Sequence, residues 1–501
     1  MRRVLALSLL AAGAVALTAL PAASGAQGPG FTGPTTLPGS ESGSEPSLAI
    51  SNGGVRYASW QAPGEFACSP DGVHFMNLGG PDSGALGDVT NAVDAAGALY
   101  NAQICSGATI LHTCVYRSLD GGKRWPQRTE LADVNPGASD RPWIDVYPKQ
   151  TGGFWNPDLT TVYLEYHTFS PDDLVYVTVS HDGGKTFSPP HLVSSDTNAI
   201  SGSGCNTVPG GVAVDQRSGA VYVLWLSGND VGSNLATGCN YSQIGPFDQA
   251  WVSVSADGGL TWTSHLAWHG RFDPATKIGD NADKIFATLS VDQAGQVHVL
   301  LPVRTNDDPV GFTTDCETNP SCQEDPQPTN LLLVTSPDGG AHWTQPFRVN
   351  ATSGSHFFPW IAAGSAGIVD AVYYRTDSLR PNDPTDRWYI AFAQITGATA
   401  TVGGGGAAYA TAPTVVTRLL DPSAVHVGGI CTFGIFCSAV PNANRSLADS
   451  IVVALDPAGG ANAAWTNDAN GTRRIDFACE SSGPSAFAGA RALHGCYAAA
   501  G

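Results

Sequence analysis

Lysine is scarce in this chain. There are five in 501 residues, at Lys123, Lys149, Lys185, Lys277 and Lys284. Acidic residues outnumber basic ones, 43 to 24, for a formal charge of −19. Such a surface repels polyanions, so nucleic acid and anionic membranes are excluded as partners. Beyond the first 26 residues no apolar run is long enough to cross a bilayer, so no membrane span is expected. No Cys-x-x-Cys pair occurs, and no His-rich spacing accompanies the cysteines, which argues against zinc. Helical periodicity is almost absent as well.

What is present begins with MRRVLALSLLAAGAVALTALPAASGA: two arginines, an apolar run, then small residues. That order is a secretory signal peptide, with the mature chain starting near Gln27. The chain divides into a signal peptide at 1–26, a linker at 27–44, and one large domain at 45–498. The expected product is secreted, soluble and monomeric. Eleven cysteines suit an oxidising compartment. Sequence proximity pairs Cys105 with Cys114, Cys316 with Cys322, Cys431 with Cys437 and Cys479 with Cys496. Cys205 and Cys239 close a longer loop, and Cys68 is left over. Spacing does not fix such connectivity.

Glycine (59) and proline (34) are plentiful, and they punctuate a repeat. RSLDGGKRW (117–125), SHDGGKTF (180–187), VSADGGLTW (254–262) and TSPDGGAHW (335–343) share Ser-x-Asp-x-Gly-x-x-Trp/Phe. SPDGVHF (69–75) is a copy one residue shorter. Each follows a β-branched or aromatic run and precedes a short apolar one, which is a hairpin signature. A second element, strand–Gly turn–strand, recurs seven times, from PSLAISNGGVRYASW (46–60) to SIVVALDPAGGANAAWT (450–466). The unit is therefore four antiparallel strands, and its repetition predicts an all-β single propeller. Seven blades are favoured. The alternative is six plus an appendage, because the sixth unit lacks the Asp turn and runs into the low-complexity stretch 397–413. Residues 421–449 are read as a bridge between the last two blades.

In the turns, the Asp accepts backbone N–H groups and Gly allows the backbone to reverse. Asp120, Asp182, Asp257 and Asp338 are accordingly structural. These turns resemble the Asp-boxes, or BNR repeats, of the sialidase superfamily, and the resemblance covers most of residues 40–480. It implies a β-propeller whose boxes lie away from the ligand-binding mouth. It also implies an extracellular glycan as partner and, as one activity, a sialidase-like exo-glycosidase. A non-catalytic propeller for protein binding or envelope scaffolding is the other reading.

In the unit so defined, one mouth collects the loops before each first strand and those between the second and third. These loops carry Glu45, Asp88, Asp140, Arg141, Trp143, Asn206, Asp280, Asp283, His356 and Arg445, with His167, Asp230, Arg304, Asp307, Arg375, Asp377 and Asp468. Glycoside cleavage needs a proton donor and a nucleophile or base, and an acidic sugar calls for guanidinium forks. By the resemblance, Asp140, Tyr373 and Glu165 are the catalytic candidates. Arg141, Arg304, Arg375, Arg445, Trp143 and His356 are the substrate-binding ones. The superfamily's first-blade Arg motif is absent, since Gly43-Ser44-Glu45-Pro46-Ser47 stands there; Arg141-Pro142-Trp143 occurs in the third unit instead. No cofactor or catalytic metal is expected. An acidic stretch around Cys316 and Cys322 makes structural calcium the one metal alternative, although its spacing matches no recognised loop. The long inter-strand stretches 227–249 and 304–329 are expected to overhang the mouth and shape a pocket.

Overall fold

The computed structural model describes residues 28–488 and Cys496, apart from 62–65, 83–84, 107–110, 132–138, 170–172, 195–206, 229–245, 277, 283–285, 308–327, 380, 382, 433–436, 438–442 and 448. The signal peptide, most of both long inter-strand stretches and the Cys205–Cys239 and Cys316–Cys322 pairings lie outside the described residues, as do Asn206, Asp230 and Asp283.

Seven antiparallel sheets follow one another along the chain. Their first strands are Ser44–Ile50, Ala85–Val93, Ser139–Tyr147, Thr207–Val214, Thr288–Val291, Ser355–Ala363 and Val452–Leu455. Each of these touches the first strand of the next sheet, and the seventh touches the first, so the first strands form a closed inner ring. The fold is a seven-bladed β-propeller. A single blade exposes two apolar sheet faces; in the ring, each face meets a neighbour. The core accordingly lies between blades, and every one of the seven interfaces has its own apolar cluster. Trp225, for example, stacks on Trp251 within the fourth blade and packs against Val175 and Val177 of the third.

The ring closes on residues that sequence reading assigns to a linker. Gly30–Phe31 and Thr35–Thr36 pair with Arg474–Ser482, the third strand of the last blade, and supply its outer edge. The outer strand of the last blade therefore comes from the N-terminal side of the domain. This bonds the two ends of the domain together and satisfies an edge that would otherwise be open. Arg56 reinforces the seam from the first blade, donating to Asn462 and, at 3.1 Å, to Asp456 of the seventh. The Cys105–Cys114, Cys431–Cys437 and Cys479–Cys496 disulfides are present, and Cys68 is an unpaired, buried thiol.

The Asp turns join third and fourth strands, on the face opposite the one where inner strands begin. In the third blade Ser180 Oγ donates to Asp182 Oδ1, which also accepts from the N–H groups of Lys185 and Thr186. The same arrangement recurs around Asp71, Asp120, Asp257 and Asp338. These carboxylates are used up by their own backbone. Each turn also spaces its blade from the one before. A Cβ on Gly122 would lie 2.4 Å from the buried ring of Phe66 in the first blade, and one on Gly259 would lie 2.5 Å from Val179 in the third. Gly122 has φ +84°. Gly122→Ala is thus expected to cost about 2–4 kcal/mol, from backbone strain and overpacking together. Gly121→Ala, with φ +75° but only the Tyr57 hydroxyl at 3.6 Å, should cost about 1 kcal/mol. Denaturant unfolding of the two variants measures the difference; equal losses would refute the spacer role.

The low-complexity stretch 397–413 is an ordered hairpin rather than a loop, with Ala400–Gly403 paired to Gly406–Tyr409. The Tyr409 hydroxyl fastens it to the carbonyl of Leu333 at 2.9 Å. The bridge segment contacts both last blades: His426–Val427 pairs with Arg387–Thr396, and His426 bonds Asp468 of the seventh blade at 2.6 Å.

Candidate functional site

The face where inner strands begin carries the chemistry. Most inner strands enter through a β-bulge, with register breaks at Ser44/Ser47, Gly87/Thr90, Asp140/Trp143 and Phe357/Trp360. Bulges re-aim side chains. Here they put Glu45 (φ 52°), Asp88 (φ 48°) and Arg141 (φ 48°) into left-handed conformations. Such backbone costs about 1 kcal/mol or more per residue and gathers at functional sites.

The three side chains converge. Arg141 Nη1 donates to Glu45 Oε2 at 2.7 Å and to Asp88 Oδ1 at 3.4 Å. The guanidinium lies 5.1 Å from the ring centres of both Trp143 and Phe286, and those rings meet edge to face. Burial alone would lower the pKa of Arg141. The fields of Glu45, Asp88, Asp449 and Asp140 outweigh it and hold the group above its ordinary value.

Asp88 and Asp140 bond each other and are pushed apart in acidity. Burial, then the charges of Glu45 and Asp140, drive Asp88 well above the carboxylate range despite Arg141. Burial also opposes ionisation of Asp140. Hydrogen bonds from His167 and Asp88 and the amide of Arg141 overcome it, so Asp140 falls well below that range. His167 Nε2 stands 3.8 Å from Asp140 Oδ2. The pair therefore holds one proton, mostly on Asp88, with the negative charge on Asp140.

Arg445 connects this cluster to open space. It pairs with Asp449, whose carboxyl is raised to about 6 by burial and the charge of Glu45. Beside it opens a cavity of about 660 Å³ lined by Asn444, Arg445, Ser446, Asp468, Thr472 and Arg473, among others. Asp468 is braced from behind by His426.

Of the catalytic and substrate-binding candidates, Asp140, Arg141, Trp143 and Arg445 fall in this one neighbourhood, together with Glu45, Asp88, His167 and Asp468 from the mouth loops. Trp143 lies buried beneath Arg141, with 3% exposure, and is not on the cavity wall. Glu165 is fully buried, and burial keeps its carboxyl well above the ordinary range. The Gly210 and Gly211 amides lie near it without reaching hydrogen-bond geometry. Arg304 pairs with Asp307. Tyr373, Arg375 and His356 form a separate group between the fifth and sixth blades. So the sequence-derived set is not brought together as one site. Asp449 and Phe286 escaped sequence reading altogether. The usable signal was the recurrence of X-Pro at inner-strand entry, at Glu45-Pro46, Arg141-Pro142 and Phe358-Pro359. Among the described residues, no group of three or more His, Cys, Asp or Glu is arranged to hold a metal ion, and no helix is long and apolar enough to cross a membrane.

No family model matches the chain, and no curated protein matches it in sequence. Solved structures similar to it include a protein of unknown function from Dyadobacter fermentans, 14% identical with a TM-score of 0.43, covering 91% of this chain and 99% of that one. A Hadza microbial sialidase is 13% identical with a TM-score of 0.40, covering 86% and 74%. An alpha-L-arabinofuranosidase from Fusarium graminearum is 11% identical with a TM-score of 0.40, covering 79% and 92%. At these identities and scores the likeness says nothing of this chain's activity.

Proposed function

We propose that the protein is a secreted propeller that recognises extracellular carbohydrate at the mouth formed by the inner-strand entries, and that it hydrolyses a glycosidic bond there. The observation that carries this is the proton-sharing pair Asp88–Asp140, which lies behind Arg445, the member of the cluster that reaches the wall of a polar cavity. Glycosidases need a carboxyl kept protonated near neutral pH and a second carboxylate across the bond. Asp88 is the proton donor, Asp140 its ionised partner backed by His167, and Asp468 the carboxylate on the cavity wall. Arg445 and Arg473 supply cations, and Asn444, Ser446 and Thr472 supply the hydrogen-bonding groups that a polyol uses. The signal peptide and three disulfides support secretion. The five Asp turns are assigned as Asp-boxes of the sialidase superfamily, with a structural role.

The test is release of sugar from a panel of sialosides, other glycosides and polysaccharides. Asp88→Asn should lower release by about 100-fold or more while glycan binding persists, because general acid catalysis is worth 10²–10⁴-fold. A folded protein that neither binds nor cleaves any member overturns the proposal. Binding without cleavage would favour a non-catalytic propeller. One observation favours that second reading: Arg141 is already neutralised by Glu45, bonded to Asp88 and sandwiched by Trp143 and Phe286, so the protein's own side chains fill the centre of the ring.

A further inference from the structure

The third blade carries an insertion that its six counterparts lack. Between first and second strands the other blades have five residues (51–55, 94–98, 292–296, 364–368 and 456–460) or six (215–220), whereas the third has thirteen, 148–160. Part of the insertion is a hairpin, Gln150–Thr151 paired with Phe154–Trp155, which forms a sheet of its own and joins no blade. A Cβ on Gly152 or Gly153 at its tip would meet nothing within 4 Å. Phe154 is 80% exposed and Trp155 44%. We propose that this hairpin is an interfacial anchor that docks the protein on a zwitterionic phospholipid surface.

Register and charge select that partner. Trp155 stands opposite Gln150 and Phe154 opposite Thr151, so alternation puts the two rings on opposite faces of the hairpin. A sugar chain or a flat protein surface lying against one face would leave the other ring in water. A lipid interface closes around the tip and dries both, at the headgroup level that aromatic rings favour. Residues 148–157 contain no acid, in a chain that has 43. Lys149 is exposed at the base of the hairpin, in no ion pair among the described residues, and its carbonyl accepts from the Asn156 amide. Three residues take the strand from Lys149 to Gly152, about 10 Å at roughly 3.3 Å each. Interfacial elements sink about 5–10 Å, so the ammonium reaches the lipid phosphates as the rings enter. An anionic bilayer would repel a chain of charge −19; a zwitterionic one offers phosphates without a net field.

The position suits an anchor. The insertion lies on the face of the Asp turns, so a docked molecule keeps its mouth open to solvent. Leu119 and Leu260, in the Asp turns of the flanking second and fourth blades, are exposed on the same face and widen its apolar footprint. An isolated hairpin is marginal in water, and here the base is tied down. Just beyond it, Asp158 takes Arg117 of the second blade at 2.8 Å and Lys185 of the third blade's Asp turn at 2.9 Å. Asn156 caps the short turn Pro157–Leu159 by accepting from the Asp158 amide. These ties let the tip project without support from a blade.

Flotation of the intact secreted protein with lipid vesicles tests this. It should float with phosphatidylcholine vesicles, and less with phosphatidylglycerol vesicles at low salt. The double variant Phe154→Ser, Trp155→Ser changes exposed side chains only, so it should keep the wild-type melting temperature while its partition onto phosphatidylcholine falls at least tenfold. Lys149→Ala should lower partition several-fold, and Lys149→Arg should preserve it. Val402→Ser, at an exposed apolar residue on the sixth-blade hairpin, should leave it unchanged. No flotation with phosphatidylcholine, equal partition of the double variant, an equal loss in Val402→Ser, or tighter binding to phosphatidylglycerol would each overturn the proposal. Retention on an insoluble polysaccharide that is lost in the double variant, without flotation, would overturn it in favour of a glycan partner.

Discussion

Arg141→Ala is expected to destabilise the protein by about 3–5 kcal/mol at neutral pH, the range for removing one partner of a buried ion pair. The guanidinium is 4% exposed and sits between Glu45, which is 3% exposed, and Asp88. Without it, Glu45 loses its bonded counter-charge, and the field of Arg445 is what remains at the carboxyls of Glu45 and Asp88. The loss should therefore shrink as pH falls from 7.5 towards 4.5, because protonation removes the uncompensated charge. Arg141→Met separates charge from packing. It refills the space between Trp143 and Phe286 and should recover part of the loss at every pH, without changing the pH trend. Denaturant unfolding of both variants at the two pH values gives the measurement. A deficit independent of pH would mean that the residue acts through packing alone.

The same residue shows what was legible in the sequence. Blades are legible because their information is local: alternating strands, Asp turns and Gly turns all lie within a few tens of residues. Ser180 to Phe187 declares its hairpin, and the structure gives Asp182 the backbone partners that the turn chemistry requires. The proximity of Cys105 to Cys114, and of Cys479 to Cys496, pointed to their bonds for the same local reason.

The mouth is not local. Glu45, Asp88, Arg141 and Asp449 meet only after four blades are in place, and the bulges that aim them have no strong sequence signal beyond a following proline in some copies. Strand register hid the second group in a different way. Tyr373 and Tyr374 are neighbours in sequence, but alternation sends them to opposite faces of one blade. Tyr373 turns towards Leu331 and Leu333 of the fifth blade. Tyr374 turns towards the seventh and exchanges hydrogen bonds with the backbone of Thr466. Composition could name both as candidates but could not say which faces an arginine. Ring closure was hidden for a third reason. Gly30–Phe31 and Thr35–Thr36 carry little strand pattern of their own, and their pairing is dictated by the unfilled edge of Arg474–Ser482, more than 400 residues later.

Raising the pH from 5 to 9 should lower the stability of the protein by several kcal/mol, chiefly through Asp370 and Glu480. Asp370, on the second strand of the sixth blade, and Glu480, on the third strand of the seventh, are both buried. Gln394 donates to one oxygen of Asp370, and the amide of Ala461 donates to one of Glu480. Among the described residues, Asp370 Oδ2 and Glu480 Oε1 have no hydrogen-bond partner. Among the described residues no cation offsets them, so burial lifts Asp370 to about 7, and burial together with the charge of Asp370 lifts Glu480 to about 8. In the unfolded chain each titrates near 4. Between those values the folded state binds more protons than the unfolded one, so stability falls with rising pH. The loss begins above pH 4 and levels off once both groups have ionised, beyond pH 8. Each ionisation costs about 4 kcal/mol at that plateau. Asp145, Asp386 and Asp449, each raised to about 6, tilt the curve the same way. The turn carboxylates Asp120 and Asp257, lowered to about 2, work in the opposite sense. Their contribution is lost only as pH falls below 4, which puts the optimum near pH 4. The double variant Asp370→Asn, Glu480→Gln should lose much of the alkaline decline while keeping the acid limb. A wild-type melting temperature that is flat or rising between pH 5 and 9 would contradict this account. So would a double variant that declines as steeply as the wild type, since the cost must then come from charges elsewhere in the ring.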